Sequence, residues 1–137
     1  MVLGRKVSPE VAERHAADKK LAAELRDRLA AAQDAEREFH AAQTEGRSLE
    51  ELRTLAIAYD RALYAALLGA EAAQRAAMGP KTYEHGDAKQ RRAAQIAARK
   101  AWAKPAVRPH VHEVDRLRTL REAHKLAVRT SGQAHVG

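Results

Sequence analysis

The sequence predicts an all-α protein: a long antiparallel, coiled-coil-like helical hairpin followed by two shorter basic helices. Three observations carry that prediction. Alanine supplies 32 of the 62 hydrophobic residues, and alanine favours helix more than any other residue. No glycine or proline interrupts the chain between Pro9 and Gly46. Apolar residues recur at alternating steps of three and four, the spacing of a helical seam. Alanine buries little apolar area, so these helices form readily around a thin core.

Ser8-Pro9-Glu10 starts the first helix, with a hydroxyl cap, proline in the first turn and an acid at the positive end of the helix dipole. It is expected to run over 9–44, roughly 54 Å. Its seam passes through Val11, His15, Asp18, Ala22, Leu25, Leu29, Ala32, Glu36 and Phe39. Gly46 breaks it. Ser48 and Glu51 then read as a capping box opening a second helix over 48–78. So short a loop implies antiparallel neighbours. Folding at Gly46 sets Phe39 near Leu52, Ala32 near Tyr59 and Leu25 near Ala66, large against small. Farther out, Asp18 would face Ala73 and His15 would face Ala77, a wetter or splayed end. Ile57, Tyr64 and Leu68 form a second apolar stripe on the second helix. One partner cannot cover both stripes, so the C-terminal helices or another copy of the chain should pack there.

Gly79-Pro80 ends the hairpin, dividing the chain into an N-terminal helical hairpin (1–79) and a basic helical segment (80–137). Residues 80–87 read as a loop. Asp87 caps a third helix over 88–103, Lys104-Pro105 ends it, and Pro105 to Pro109 is a stiff connector. A fourth helix is expected over 110–129, with a polar tail after it.

Charge separates at the same boundary. Residues 1–79 hold 12 Lys/Arg and 13 Asp/Glu, a net of −1; residues 80–137 hold 13 and 5, a net of +8. A basic segment attached to a neutral scaffold is the electrostatic footprint of polyanion binding. Arginine outnumbers lysine 17 to 8 and asparagine is absent, a bias that a GC-rich genome would also produce. Such a bias acts on both halves and does not explain the partition. On the third helix, Lys89, Arg92, Arg99 and Lys100 share one side, with Ala94, Ala97, Ala98 and Ala101 opposite. On the fourth, Arg118, Arg121, Lys125 and Arg129 form a stripe about 16 Å long, enough to track several phosphates. Trp102, among Arg99, Lys100 and Lys104, either stacks a base or, more plainly, anchors its helix on the hairpin. The plain reading of the basic stripes is a solvated face.

Other chemistries find little support. The chain has no cysteine, which excludes disulfides and thiolate metal sites. His110 and His112 are the only close histidine pair, and positions two apart on a helix point apart. His124 reads as a core-edge residue, and His15 as a hydrogen-bonding partner of Asp18. Asp18 and Glu36 read as seam imperfections that fix register. A helix-turn-helix would place Pro109 inside its recognition helix. No phosphate loop, nucleophile elbow or paired-carboxylate site occurs, so neither an enzyme nor a cofactor or metal is expected. The most apolar stretch, Leu55 to Ala70, contains Asp60 and Arg61 and is too short for a membrane span. The N-terminus lacks the apolar run of a signal peptide. The expectation is a nucleic-acid-associated protein, DNA favoured, cytoplasmic in a bacterial host and organised as a homo-oligomer. The alternative is an assembly protein of a phage particle or other large complex, docking on acidic protein surfaces and located in the virion if phage-encoded.

Overall fold

The computed structural model describes the backbone of residues 7–136 and the side chains of residues 7–131. Its regular structure is helical throughout, with five α-helices, of which the first, the second and the last pack closely on the third. The first, α1 (Pro9–Ala23), opens where the Ser8 hydroxyl accepts the Val11 amide at 3.3 Å. The second, α2 (Leu25–Glu45), follows after one residue. The single helix expected over 9–44 is therefore divided at Glu24, whose amide turns to the Leu21 carbonyl (3.0 Å) in a tightened turn. The division coincides with a close approach of the next helix: a Cβ on Gly69 would stand 3.5 Å from Leu25 Cα. One turn of that helix away, Arg28 donates to the Ala65 carbonyl at 2.8 Å. The seam continues across the division, since Val11, Ala32, Phe39 and Ala42 are all buried on its steps.

Gly46 adopts a left-handed φ of 69°, and the amides of Gly46 and Arg47 donate back to Gln43 and Ala42. That satisfies carbonyls the helix end would otherwise orphan. Helix α3 (Leu49–Met78) starts with the Ser48 hydroxyl accepting the Glu51 amide at 3.2 Å. The reciprocal arm of the expected capping box is replaced by an ion pair of Glu51 with Arg47 at 3.3 Å.

With 30 residues, about 45 Å, α3 is the central helix. It packs on α1 and α2 along one side and on the last helix along another. The antiparallel register is fixed by Tyr59 donating to Glu36 (2.9 Å), Arg28 to Ala65, and Arg75 to both oxygens of Asp18 (2.9 and 3.0 Å). Asp18 thus meets Arg75 rather than Ala73, and His15 donates to the Ala76 carbonyl at 3.2 Å instead of to Asp18. The far end is closed by these polar contacts, not splayed.

Past Gly79, Pro80–Tyr83 forms a 3₁₀ turn within the stretch expected to be loop. Asp87 caps α4 (Ala88–Trp102) with a full capping box: it accepts the Gln90 amide at 2.8 Å, and the Gln90 side chain accepts the Asp87 amide at 3.0 Å. The last helix, α5 (Arg108–Val136), has 29 residues and is not a shorter helix over 110–129 with a polar tail. Pro109 lies in its first turn, where the missing N–H has no intrahelical partner to lose. Gly132 does not end it, because a glycine costs a helix only about 1 kcal/mol and no proline follows.

The core is thin, as the alanine content implies. Leu63, Ala66, Leu67 and Ala70 of α3 lie between Ala32 and Phe39 of α2 and Val114 and Leu117 of α5. His124 sits within it at 8% exposure. Its Nε2 donates to the Ala56 carbonyl at 2.8 Å, and its ring lies 4.5 Å from that of Tyr59 and 5.3 Å from that of Phe39. Burial, then the hydrogen bond to Glu36, pushes the Tyr59 hydroxyl up to about 12.

Candidate nucleic-acid interface

Helix α4 does not lie along the bundle core. It packs chiefly on the 3₁₀ turn, so whatever holds that turn positions α4. The holder is Asp18 of α1. Besides the fork from Arg75, its carboxylate accepts the Tyr83 hydroxyl at 2.6 Å, and His15 meets the Tyr83 ring edge-on at 5.5 Å. Burial alone would raise the Asp18 carboxyl; the hydrogen bonds from Arg75 and Tyr83 outweigh it and hold the group below its ordinary value. Three elements, α1, α3 and the 3₁₀ turn, are joined at this one carboxylate.

So fixed, α4 turns its small face inward and its cations outward. Ala94 and Ala101 are buried and Ala97 and Ala98 half-buried, while Lys89, Arg92, Arg99 and Lys100 are exposed. Ile96 stands among those cations and is itself exposed. From Ala88 to His112 the chain holds seven Lys/Arg and no Asp or Glu. None of the ion pairs among the described residues uses a cation of that stretch.

Helix α5 differs. Arg118 pairs with Glu71 at 2.7 Å, and Arg121 forks onto Asp60 at 3.0 and 3.4 Å while its guanidinium lies 4.5 Å over the Tyr64 ring. Arg116 pairs with Glu113. Two of the four predicted phosphate-tracking residues on this helix therefore hold α5 to α3. The Arg118 pair is solvent-exposed and readily exchanged for another anion; the Arg121 fork is half-buried and stacked, a packing strut. Lys125, half-buried, and Arg129, exposed, complete the stripe with no ion pair among the described residues.

The second apolar stripe is covered in part. Leu68 is half-buried and Tyr64 lies under Arg121, yet Ile57 remains 46% exposed and Tyr64 45%. Trp102, at the end of α4, is 50% exposed and lies outside the core cluster. Among the described residues no cluster of three or more His, Asp or Glu side chains could hold a metal ion, and no helix is long and apolar enough to cross a membrane.

Sequence reasoning missed the Asp18 latch, because Tyr83 lies in what reads as loop and Arg75 on a helix face with no seam residue. It also divided the basic residues by helix rather than by available partners. The acid-free run from Ala88 to His112 is the signal that could have marked α4 and the connector as the stretch with no neighbouring acid to neutralise its cations. No family model, curated protein or solved structure matches this chain.

Proposed function

We propose that this is a non-catalytic nucleic-acid-associated protein that holds the phosphate backbone through α4 and the connector to α5, with little base specificity. The observation that carries the reading is the row of exposed cations on α4, in a stretch without acids and with no ion pair among the described residues. Unpaired cations displace condensed counterions from a nucleic acid, whereas an arginine already matched to a carboxylate adds little net charge. Lys89, Arg92, Arg99 and Lys100 make the principal contacts, and Arg118, Lys125 and Arg129 flank them. The helical scaffold organises more than one copy, so that weak contacts multiply. DNA in a bacterial cytoplasm, or inside a virion, is the favoured ligand.

The test is anisotropy of a labelled duplex titrated with the full chain over a range of salt. Each phosphate neutralised contributes about −0.9 to the slope of log affinity against log salt. Four α4 contacts therefore predict a slope near −4, on the order of that principle's constant times the contact number. Arg92→Glu with Arg99→Glu and Lys100→Glu is expected to lower low-salt affinity at least about a hundredfold, with helicity unchanged. Duplex affinity independent of salt, or unaltered in this variant, would sink the proposal.

A second reading has its own observation. The exposed Ile57 and Tyr64 ask for a partner, as in a structural protein of a phage particle or other large assembly whose basic end meets acidic protein surfaces. Ile57→Asp would then reduce the oligomer's mass by sedimentation while leaving nucleic-acid affinity per subunit nearly unchanged.

A further inference from the structure

We propose that Trp102 is a stacking platform for an unpaired base, so that the ligand of the α4 surface is single-stranded nucleic acid in preference to duplex. The inference rests on the phosphate-binding reading and specifies its ligand class.

Tryptophans in small proteins are ordinarily explained by the core, by an aromatic neighbour or by a hydrogen bond from the indole N–H. Trp102 has none of these among the described residues. Half of its surface is exposed. It is outside the core cluster. No aromatic ring or guanidinium lies against it, although such contacts are made by His15, Phe39, Tyr59 and Tyr64. Among the described residues no side-chain or backbone acceptor takes its N–H. The chain's single tryptophan therefore presents a large π-surface to solvent in a molecule otherwise short of aromatics.

Its place on α4 adds the second half of the argument. Buried Ala101, beside it, pins the last turn of the helix. Arg99 and Lys100 lie in the same last turn of α4, and Lys104 and Arg108 follow the helix end, all exposed. These cations outweigh the partial negative charge at the helix C-terminus, so phosphates can lie on either side of the ring. An aromatic face flanked by backbone-holding cations is the arrangement that binds single strands, because every base has a π-face and only an unpaired base can present it. Duplex DNA offers the same phosphates but keeps its bases stacked. A membrane surface fits less well: a helix lying on lipid turns a broad apolar face outward, whereas the outward side of α4 carries only Ile96 and Trp102 as large apolar residues among its cations, with Ala94 and Ala101 turned inward.

Because there is one tryptophan, its fluorescence reports directly on this site. The full chain is titrated with oligothymidine and oligouridine of ~15 nucleotides, within the span of small single-strand sites, with a blunt duplex of equal length, and with vesicles of mixed anionic and neutral lipid. The expected result is quenching by both single strands and tighter binding of them than of the duplex. Trp102→Ala should lower single-strand affinity about five- to a hundredfold, the range for loss of one stacked base. It should leave duplex affinity within twofold, and Trp102→Phe should recover most of the loss. Equal affinity for strand and duplex, with Trp102→Ala silent, overturns the stacking role and leaves phosphate binding standing. Binding of neither nucleic acid overturns both. A blue-shifted response to vesicles alone overturns both in favour of a lipid surface.

Discussion

At the scale of single residues, Asp18 joins three elements of the molecule through one carboxylate. Its carboxylate ties Arg75 of α3 and Tyr83 of the 3₁₀ turn to α1, and its charged form accepts the two-pronged Arg75 fork and strengthens both contacts. Because the folded chain holds this carboxyl below its ordinary value, the unfolded chain takes up the proton first as pH falls. The latch is therefore at full strength above the ordinary aspartate value of about 4, and is lost as pH falls through the depressed folded value. Asp18→Asn is expected to cost about 1–2 kcal/mol at neutral pH, the range for charge-assisted hydrogen bonds discounted for the exposure of Arg75. The difference in melting temperature between the variant and the parent should shrink steadily below pH 4 or so. A gap that persists unchanged into strong acid would show that Asp18 acts by shape and not by charge.

At the scale of elements, most helices were legible because each is announced by local chemistry. Ser8, Ser48 and Asp87 cap α1, α3 and α4 where their sequences say they should. The end of α5 and the division at Glu24 were not legible, for different reasons. Thr130-Ser131-Gly132 resembles a helix end in composition, but weak propensity is a small penalty that a helix already held by Val114, Leu117 and His124 absorbs. The division at Glu24 has no signal in its own residues and coincides with the passage of Gly69 beside Leu25 and Arg28. Gly69 carries a further expectation. It is buried in mid-helix with ordinary helical geometry, and an added Cβ would meet Leu25 Cδ1 at 3.4 Å, an ordinary contact. Gly69→Ala should then stabilise the chain by up to about 1 kcal/mol through helix propensity, read from urea denaturation, whereas Gly69→Leu should destabilise it by forcing α3 away from α2.

At the scale of the whole molecule, the hidden fact was which helices share a core. Composition and charge divide the chain at Gly79-Pro80, yet Val114 and Leu117 of α5 are buried with Leu63 and Leu67 of α3. Such sharing is invisible in a single sequence, since the apolar stripe on α3 reads the same whether its cover comes from this chain or from another. It follows that the hairpin without α5 exposes its thin core, and that α1, α2, α3 and α5 should melt together. Leu63 and Leu117 are each 1% exposed and lie on opposite sides of the charge boundary. Leu63→Ala and Leu117→Ala are each expected to cost about 2–5 kcal/mol, the usual range for a buried leucine truncated in place. Both should lower the temperature of one cooperative calorimetric transition. If the basic segment instead folded apart from the hairpin, Leu117→Ala would split the trace, with the hairpin melting at its original temperature. A single transition would have a functional corollary: α4, held through the 3₁₀ turn by the Asp18 latch and joined at its other end to α5, would present its cations and Trp102 only while the scaffold is intact, so the proposed nucleic-acid binding should be lost on heating together with helicity.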